Sequence, residues 1–338
     1  MPLFGMFSND IAIDLGTANT LIYMKGKGIV LNEPSIVTYD QTTKKLVAIG
    51  HEAKNMIGRV HKELVTVRPL RDGVIADFDV AEMMLKEFIK KITRSFMPAR
   101  RIVICVPSGI TEVEKRAVRD TAEHAGAKEV YLITEPMAAA IGIGLDVMAP
   151  EGNMIVDIGG GTTEIAVICL GGITNSTSIR IAGDELTEAI IRYFRNNQNL
   201  LIGENTAENI KCKAGSVMPL KEETIIEVLG RDLVAGVPKS TEISSIEIRE
   251  ALDGPVRQMI EAIKVALEKT APELSADILE KGIFLTGGGA LLQGLDERVR
   301  METGVPVHIA EDPLTAVARG TGKVLEDINY YRKVMLKR

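Results

Sequence analysis

Two short stretches, far apart in the chain, share one layout: an apolar run, an aspartate, a glycine turn with threonine, and a second apolar run. The first is Asp14-Leu-Gly-Thr-Ala-Asn-Thr20 and the second is Asp157-Ile-Gly-Gly-Gly-Thr-Thr-Glu164. The flanking apolar runs are residues 11–13 and 21–24 in the first case, and 154–156 and 165–168 in the second. This pattern predicts two β-hairpins, and its repetition indicates a duplicated unit.

The glycine turns also predict a phosphate site. Glycine lacks the Cβ that would keep a phosphate away from the backbone, so successive N–H groups can face an oxyanion. A simple hairpin turn would also explain residues 159–161. The aspartate before them, the threonine pair after them and the upstream copy favour a nucleoside triphosphate gripped from both sides, with a metal ion between.

Two common phosphate motifs are excluded by the sequence. No G-x-x-x-x-G-K-[ST] segment is present, so the chain is not a P-loop protein. A dinucleotide fingerprint requires glycines that open a helix, whereas β-branched residues follow the glycines here.

The remaining periodicity repeats one plan in both halves: three antiparallel strands, then alternating helices and strands. Such a plan predicts a duplicated α/β architecture with an irregular insert ending near Asp77 and a polar insert over about 199–241. Gly287–Gly289 are expected to open a helix. The predicted helices are 80–95, 111–125, 136–145, 184–197, 206–215, 245–270 and 314–327, and the further strands are 29–31, 101–106, 130–133, 174–181, 282–286 and 305–309.

Bulk composition narrows the class of protein. A chain of 338 residues is long enough for two domains with substantial cores. The net charge of −6 gives no reason to expect nucleic-acid binding. The cysteines, Cys105, Cys169 and Cys212, stand singly and suggest small buried side chains in a reducing compartment. No signal peptide and no apolar run of transmembrane length is found, so we expect a cytoplasmic protein.

Several motifs together resemble one superfamily. The two hairpins, Thr134-Glu-Pro136 and Thr286-Gly-Gly-Gly-Ala290 are similar to motifs of the actin, hexokinase and heat-shock chaperone ATPases. Residues 7–23, 28–35, 69–77, 135–142 and 156–164 more narrowly resemble the MreB family of bacterial actin homologues. The resemblance implies an actin-like α/β fold: duplicated ribonuclease H-like domains, two smaller inserted subdomains and a nucleotide cleft between lobes.

The resemblance also implies domain boundaries. The lobe I core would comprise residues 1–32, 69–148 and 320–338, with a small insert at 33–68. The lobe II core would comprise residues 149–182 and 243–319, with a small insert at 183–242.

For the cleft, the resemblance implies ATP with Mg²⁺. Asp14 and Asp157 suit Mg²⁺ held through water, because this ion prefers oxygen ligands and keeps part of its hydration shell. Glu135 would position or activate the attacking water, with Thr162 as a second catalytic residue. The alternative for Glu135 is a helix N-terminal carboxylate favoured by the helix dipole.

The remaining contacts implied for ATP fall into three groups. Glu208 and Lys211 would contact the sugar and base, although their spacing alone favours an ordinary helix-surface ion pair. The phosphate loops would be Gly16, Thr17, Ala18 and Asn19, and Gly159, Gly160, Gly161 and Thr162. The adenosine end would be bordered by Gly287, Gly288, Gly289 and Ala290.

The function implied is that of a slowly hydrolysing, filament-forming cytoskeletal protein. Protomers would stack head to tail into protofilaments, paired antiparallel, at the inner face of the cell membrane. There they would guide cell-wall synthesis and maintain rod shape, with cell-wall synthesis proteins and membrane-anchored shape proteins as partners. The alternative is a soluble ATP-dependent kinase or chaperone-like ATPase of the same superfamily.

Two segments are candidates for membrane contact. Residues 1–7 are mostly apolar, and the alternative for them is a disordered start. Phe96 and Met97 lie between a predicted helix and strand, with Arg94, Arg100 and Arg101 around them. An apolar tip with a basic rim suits an anionic leaflet, at about 1 kcal/mol per basic residue. The alternative is a buried loop anchor.

Overall fold

A computed structural model of the chain describes residues 10–93 and 101–337. The first half begins with the predicted hairpin and ends with a helix that directly follows a strand. Its elements are β1 (Ile11–Leu15), β2 (Asn19–Met24), β3 (Gly28–Pro34), β4 (Val37–Asp40), β5 (Leu46–Ile49), α1 (His51–Met56), β6 (Leu64–Val67), β7 (Leu70–Arg71), β8 (Val74–Ile75), α2 (Phe78–Ile92), β9 (Arg101–Val106), α3 (Glu112–His124), β10 (Glu129–Thr134) and α4 (Glu135–Gly142).

The second half begins with the second predicted hairpin. Its elements are β11 (Asn153–Ile158), β12 (Thr163–Cys169), β13 (Gly172–Ile179), α5 (Gly183–Asn197), β14 (Leu200–Leu201), α6 (Glu204–Ala214), β15 (Ile225–Asp232), β16 (Pro238–Ser244), α7 (Ser245–Glu268), α8 (Pro272–Lys281), β17 (Ile283–Thr286), α9 (Leu295–Thr303), β18 (Val307–Ile309) and α10 (Ala316–Glu326).

Two five-stranded sheets with equivalent order form the two lobes. In lobe I the order is β10-β9-β1-β2-β3, and in lobe II it is β13-β12-β11-β17-β18. In each sheet the first hairpin is antiparallel, and its opening strand also pairs in parallel with a later strand. The predicted duplicated α/β architecture is therefore confirmed. Smaller sheets, β5-β4-β6 and β14-β15-β16, are formed mostly by residues of the predicted inserts.

Helices α4 and α10 join the two lobes. One apolar core contains residues of both large sheets together with side chains of these two helices. The helices cross at glycines: a Cβ on Gly320 would lie 1.7 Å from the carbonyl oxygen of Ala138, and one on Gly142 would lie 1.9 Å from that of Ala316. Backbone therefore packs directly on backbone at this crossing, which only glycine permits.

The inserts contain more regular structure than the sequence predicted. The segment before Asp77, expected to be irregular, contains β4 to β8 and α1. The segment 199–241, predicted as a polar insert with a helix at 206–215, also contains β14, β15 and most of β16, which were not predicted. Both inserts present many polar side chains to solvent, so their strands lack the long apolar runs that marked the central strands.

The prediction that a helix begins at Gly287–Gly289 was also wrong in detail. A single 3₁₀ turn spans Gly288–Leu291, and the α-helix begins only at Leu295. Gly287 and Gly294 both have a φ of 78°, which interrupts a right-handed helix. Helix α8 was not predicted at all, because it continues closely after α7.

The membrane predictions are not decided by the fold. Phe96, Met97 and residues 1–7 lie outside the described residues. Within residues 10–93 and 101–337, no helix has both the length and the apolar character needed to cross a bilayer. The domain boundaries likewise stay predictions, and both β3 and α10 run across one of them.

Candidate functional site

A cleft of about 480 Å³ lies between the two lobes. Ala290 is fully buried and does not line it. The other predicted cleft residues all do: Asp14, Gly16, Thr17, Ala18, Asn19, Glu135, Asp157, Gly159, Gly160, Gly161, Thr162, Glu208, Lys211, Gly287, Gly288 and Gly289.

The two hairpin turns face each other across this cleft. A Cβ on Gly160 would lie 2.7 Å from the Cβ of Ala18, and one on Gly161 would lie 2.8 Å from Thr17 Oγ1. The second turn therefore needs Gly160 and Gly161 because the first turn packs against it, whether or not a ligand is bound. The second turn also receives the N-terminus of α5, where the N–H of Asp184 donates to the Gly160 carbonyl at 2.7 Å.

The turn between β7 and β8 is a third part of the site, which the sequence reasoning missed. Asp72 and Gly73 have φ angles of 52° and 78°. The N–H of Gly73 donates to Thr17 Oγ1 at 3.1 Å, and a Cβ on Gly73 would lie 3.0 Å from Thr162 Cγ2. This turn therefore contacts both phosphate loops. The Asp-Gly pair between short strands was the available signal, since that pair favours such a turn.

Three carboxyl groups converge on the cleft from strand and helix ends. Burial raises the pKa of Asp14 to about 6, against the opposing effect of a hydrogen bond from the Cys105 thiol at 3.3 Å. Burial also raises the pKa of Asp157 to about 7, and the charges of Asp14 and Glu164 add to this, while a hydrogen bond from Thr286 lowers it. Burial, then the charges of Glu164, Asp157 and Asp14, raise the pKa of Glu135 well above its usual value.

This group of acids fits a cation held through water. Repulsion among buried carboxylates is relieved when a positive ion lies between them. In the described part of the chain, no three histidine, cysteine or acidic side chains are placed to hold a metal ion directly. Asp14 and Asp157, one from each lobe, supply the oxygen ligands that Mg²⁺ accepts through its water shell.

The opposite end of the cleft is formed by α6 and the turn after β17. Lys211 and Glu208 line the cleft and also form the expected ion pair, at 2.7 Å. Lys211 Nζ further donates to the Gly183 carbonyl at 2.8 Å. The exposed Leu291 and Leu314 line the same end, where they offer apolar surface to a flat ring. Cys212 also lines the cleft and is exposed, so the prediction of a buried side chain was wrong for this cysteine.

The mouth of the cleft is bridged by the two inserts. Arg68, just after β6, forms an ion pair with Glu204 at the start of α6. Beside it, Asn205 Nδ2 donates to the Lys54 carbonyl at 3.4 Å. The sequence reasoning missed this bridge because 136 positions separate the ion-paired residues and no local pattern connects them.

Two lobes of equivalent sheet order, joined by two crossing helices around a glycine-lined cleft, define an actin-like protein. The family model for MreB/Mbl protein matches residues 8–333. The chain belongs to the MreB/Mbl family, as the resemblance implied.

Individual relatives agree with this assignment. The cell shape-determining protein MreB of Escherichia coli (strain K12) is 56% identical over 333 residues, covering 97% of this chain and 96% of that protein. The cell shape-determining protein Mbl of Bacillus cereus is 51% identical, covering 98% of this chain and 100% of that protein. The crystal structure of Spiroplasma citri MreB 5 bound to AMPPNP is 38% identical with a TM-score of 0.91, covering 96% of this chain and 97% of that one.

Proposed function

We propose that this chain binds ATP with Mg²⁺ in the cleft, hydrolyses it slowly, and assembles into membrane-associated filaments. These filaments would guide cell-wall synthesis and maintain rod shape. The observation that carries the proposal is the pair of glycine turns, one from each lobe, that face each other across a cleft also lined by Asp14 and Asp157. The proposal includes the predicted division into two lobe cores and two inserts.

The cleft supports a specific division of labour. Residues 16–19 and 159–162 would surround the phosphates with backbone N–H groups and threonine hydroxyls, except that the N–H of Gly159 donates to the Thr162 carbonyl. The α6 end would receive the sugar and base. Asp14 and Asp157 would hold Mg²⁺ through its water shell. When bound, that ion neutralises the phosphate charge that hydrolysis develops.

We assign the hydrolytic step to Glu135, whose buried carboxyl lines the cleft. In that step water attacks the γ-phosphorus, the bond from phosphorus to the β-phosphate oxygen breaks, and one water proton passes to the Glu135 carboxylate. Because the pKa of Glu135 is raised by burial and by neighbouring acids, its ionised form is a stronger base than an exposed glutamate. Thr162, on the second turn, would orient the water or the phosphate. Few catalytic groups are involved, so slow turnover is expected.

The names of the relatives support the cellular role. The Escherichia coli and Bacillus cereus proteins are cell shape-determining proteins, and the Spiroplasma protein has been crystallised with AMPPNP and with ADP. We extend these properties to this chain because the similarity runs along nearly its whole length. Protomers would stack head to tail, since a contact that does not close on itself yields an open filament. Two such protofilaments would pair antiparallel.

The test is electron microscopy of purified protein with Mg-ATP on anionic lipid vesicles. Glu135→Ala should keep the filaments and lose phosphate release. The double variant Phe96→Ser/Met97→Ser should form filaments that leave the lipid, because weak membrane contacts add up along a polymer.

Two outcomes would contradict parts of this proposal. Absence of filaments in every nucleotide and salt condition would overturn the cytoskeletal function and favour a soluble phosphotransferase. Filaments that stay on lipid in the double variant would instead reject Phe96 and Met97 as the anchor.

A further inference from the structure

Glu164 is a buried acid that the proposed chemistry does not use. It is fully buried, lies in β12, and does not line the cleft. Asp157 lies directly opposite it on β11. Two like charges opposite each other in an antiparallel pair destabilise a sheet, and a buried carboxylate requires hydrogen-bond donors. The fold must therefore supply groups that compensate Glu164.

The compensating donors come from both lobes. Glu164 Oε1 accepts from the hydroxyl of Ser178, which lies opposite on β13 in the same sheet. Glu164 Oε2 accepts from the backbone N–H of Ser108 at 3.0 Å and from the Ser108 hydroxyl. Ser108 follows β9 in lobe I. One carboxylate thus bonds lobe II to lobe I.

This link is connected to both phosphate loops, through the chain to the second loop and through Gly73 to the first. Glu164 follows Thr162 by two residues, and Ser108 follows Pro107, which a Cβ on Gly73 would approach to 2.9 Å. Gly73 in turn donates to Thr17 of the first loop. The neighbouring Gly109 also packs toward lobe II, where an added Cβ would lie 3.6 Å from that of Ser178. A shift of Ser108 relative to Glu164 would therefore move the parts that hold the two loops together.

We infer that Glu164 is a positioning residue that, through Ser108, holds the two lobes at the separation in which both phosphate loops engage one nucleotide. The inference rests on the proposed nucleotide function and adds a residue to it. The charge of Glu164 also acts on Glu135, the proposed base, and helps to raise its pKa.

Two serines provide a matched test. Ser108→Ala and Ser178→Ala each remove one hydroxyl donor to the same carboxylate, but only the first removes a bond between lobes. In steady-state and single-turnover assays with Mg-ATP, Ser108→Ala should lower kcat about ten- to hundredfold, the range for losing one hydrogen bond to a charged group. It should speed dissociation of a fluorescent ATP analogue by a similar factor. Ser178→Ala should leave both rates within about twofold, and Ser108→Thr should restore them.

A second measurement needs no hydrolysis. Amide hydrogen exchange of the nucleotide-free chain should quicken in Ser108→Ala around residues 70–75 and 158–164, one segment in each lobe. In Ser178→Ala any quickening should stay within β12 and β13. Melting temperatures of both variants check that each is folded.

The outcomes separate this inference from the proposed function. Equal changes of kcat and dissociation rate in the two variants would mean that Glu164 has only a structural role. Unchanged rates in Ser108→Ala would mean that its bond to Glu164 does not hold the lobes in place. Either result overturns the inference. If the unmodified chain neither binds nor hydrolyses ATP, the proposed function fails. Even in that case, faster amide exchange in both lobes of Ser108→Ala, but not of Ser178→Ala, would support the bond between Ser108 and Glu164 as a link between the lobes. Any other exchange pattern would reject this link.

Discussion

At the scale of single residues, the cleft concentrates acids that resist ionisation. Since the folded pKa of Glu135 lies above its unfolded value near 4.5, its contribution to the free energy of unfolding is fully present below that value. The contribution is lost as the pH rises through the folded pKa. The nucleotide-free protein is therefore stabilised when the Glu135 carboxyl is protonated, and it is less stable at a pH above the folded pKa of this group.

Glu135→Gln should remove this loss while keeping the shape of the side chain. The variant should melt about 3 °C or more above the unmodified chain at high pH, and the gap should widen as the pH rises above about 4.5. Differential scanning fluorimetry without Mg²⁺ or nucleotide measures it. The exposed Glu280→Gln in α8 is the control. A gap that is constant over the pH range would contradict the burial effect.

At the scale of elements, the crossing of α4 and α10 leaves no room for a side chain. A Cβ on Gly320 would meet a backbone carbonyl, which cannot rotate away. Gly320→Ala should therefore lower the free energy of unfolding by about 3 kcal/mol or more, measured by urea denaturation. Gly172→Ala is the control, because its φ is ordinary, it is exposed, and its Cβ would meet nothing closer than 3.7 Å. Equal losses in the two variants would exclude a special role for the crossing.

The elements also show what a sequence alone can indicate. The hairpins that carry Asp14 and Asp157 were predicted correctly, because buried central strands are nearly continuous apolar runs that end at glycine turns. The pair β15 and β16 was missed because neither strand is a continuous apolar run and each buries a single residue completely, Val228 in β15 and Ile243 in β16. Local pattern identifies strands that are buried on both faces, whereas strands of a small exposed sheet depend on partners elsewhere in the chain.

At the scale of the whole molecule, the inserts close the mouth of the cleft through one partly exposed ion pair. Arg68→Ala should speed dissociation of a fluorescent ATP analogue about threefold, since an exposed pair contributes about 0.2–1 kcal/mol. The charge-reversed double variant Arg68→Glu/Glu204→Arg should restore the rate. Stopped-flow fluorescence measures both, and high salt should reduce the difference.

A different result would assign Arg68 another role. If the double variant dissociates as fast as Arg68→Ala, the arginine acts on the nucleotide itself, since it also lines the cleft.

The candidate site shows the same division between local and distant information. The motif residues could be named from the sequence because each loop carries its own glycines and its own aspartate. The bond of Ser108 to Glu164 and the bridge of Arg68 to Glu204 could not, because each joins segments at least 56 positions apart. Residues that line the cleft were therefore predictable here, and residues that link the two lobes were not.

Cys212 gives the cleft a chemical property of its own. Its exposed thiol lines the end of the cleft near Leu291 and Leu314, so an electrophile attached to a flat heteroaromatic ring would find a nucleophile beside its binding surface. Partial desolvation, then the charge of Glu208, raise the pKa of this thiol, so little thiolate is present at neutral pH. A covalent inhibitor of this protein would therefore depend on residence time in the cleft, and a mildly reactive acrylamide would suit it better than an indiscriminate alkylating agent.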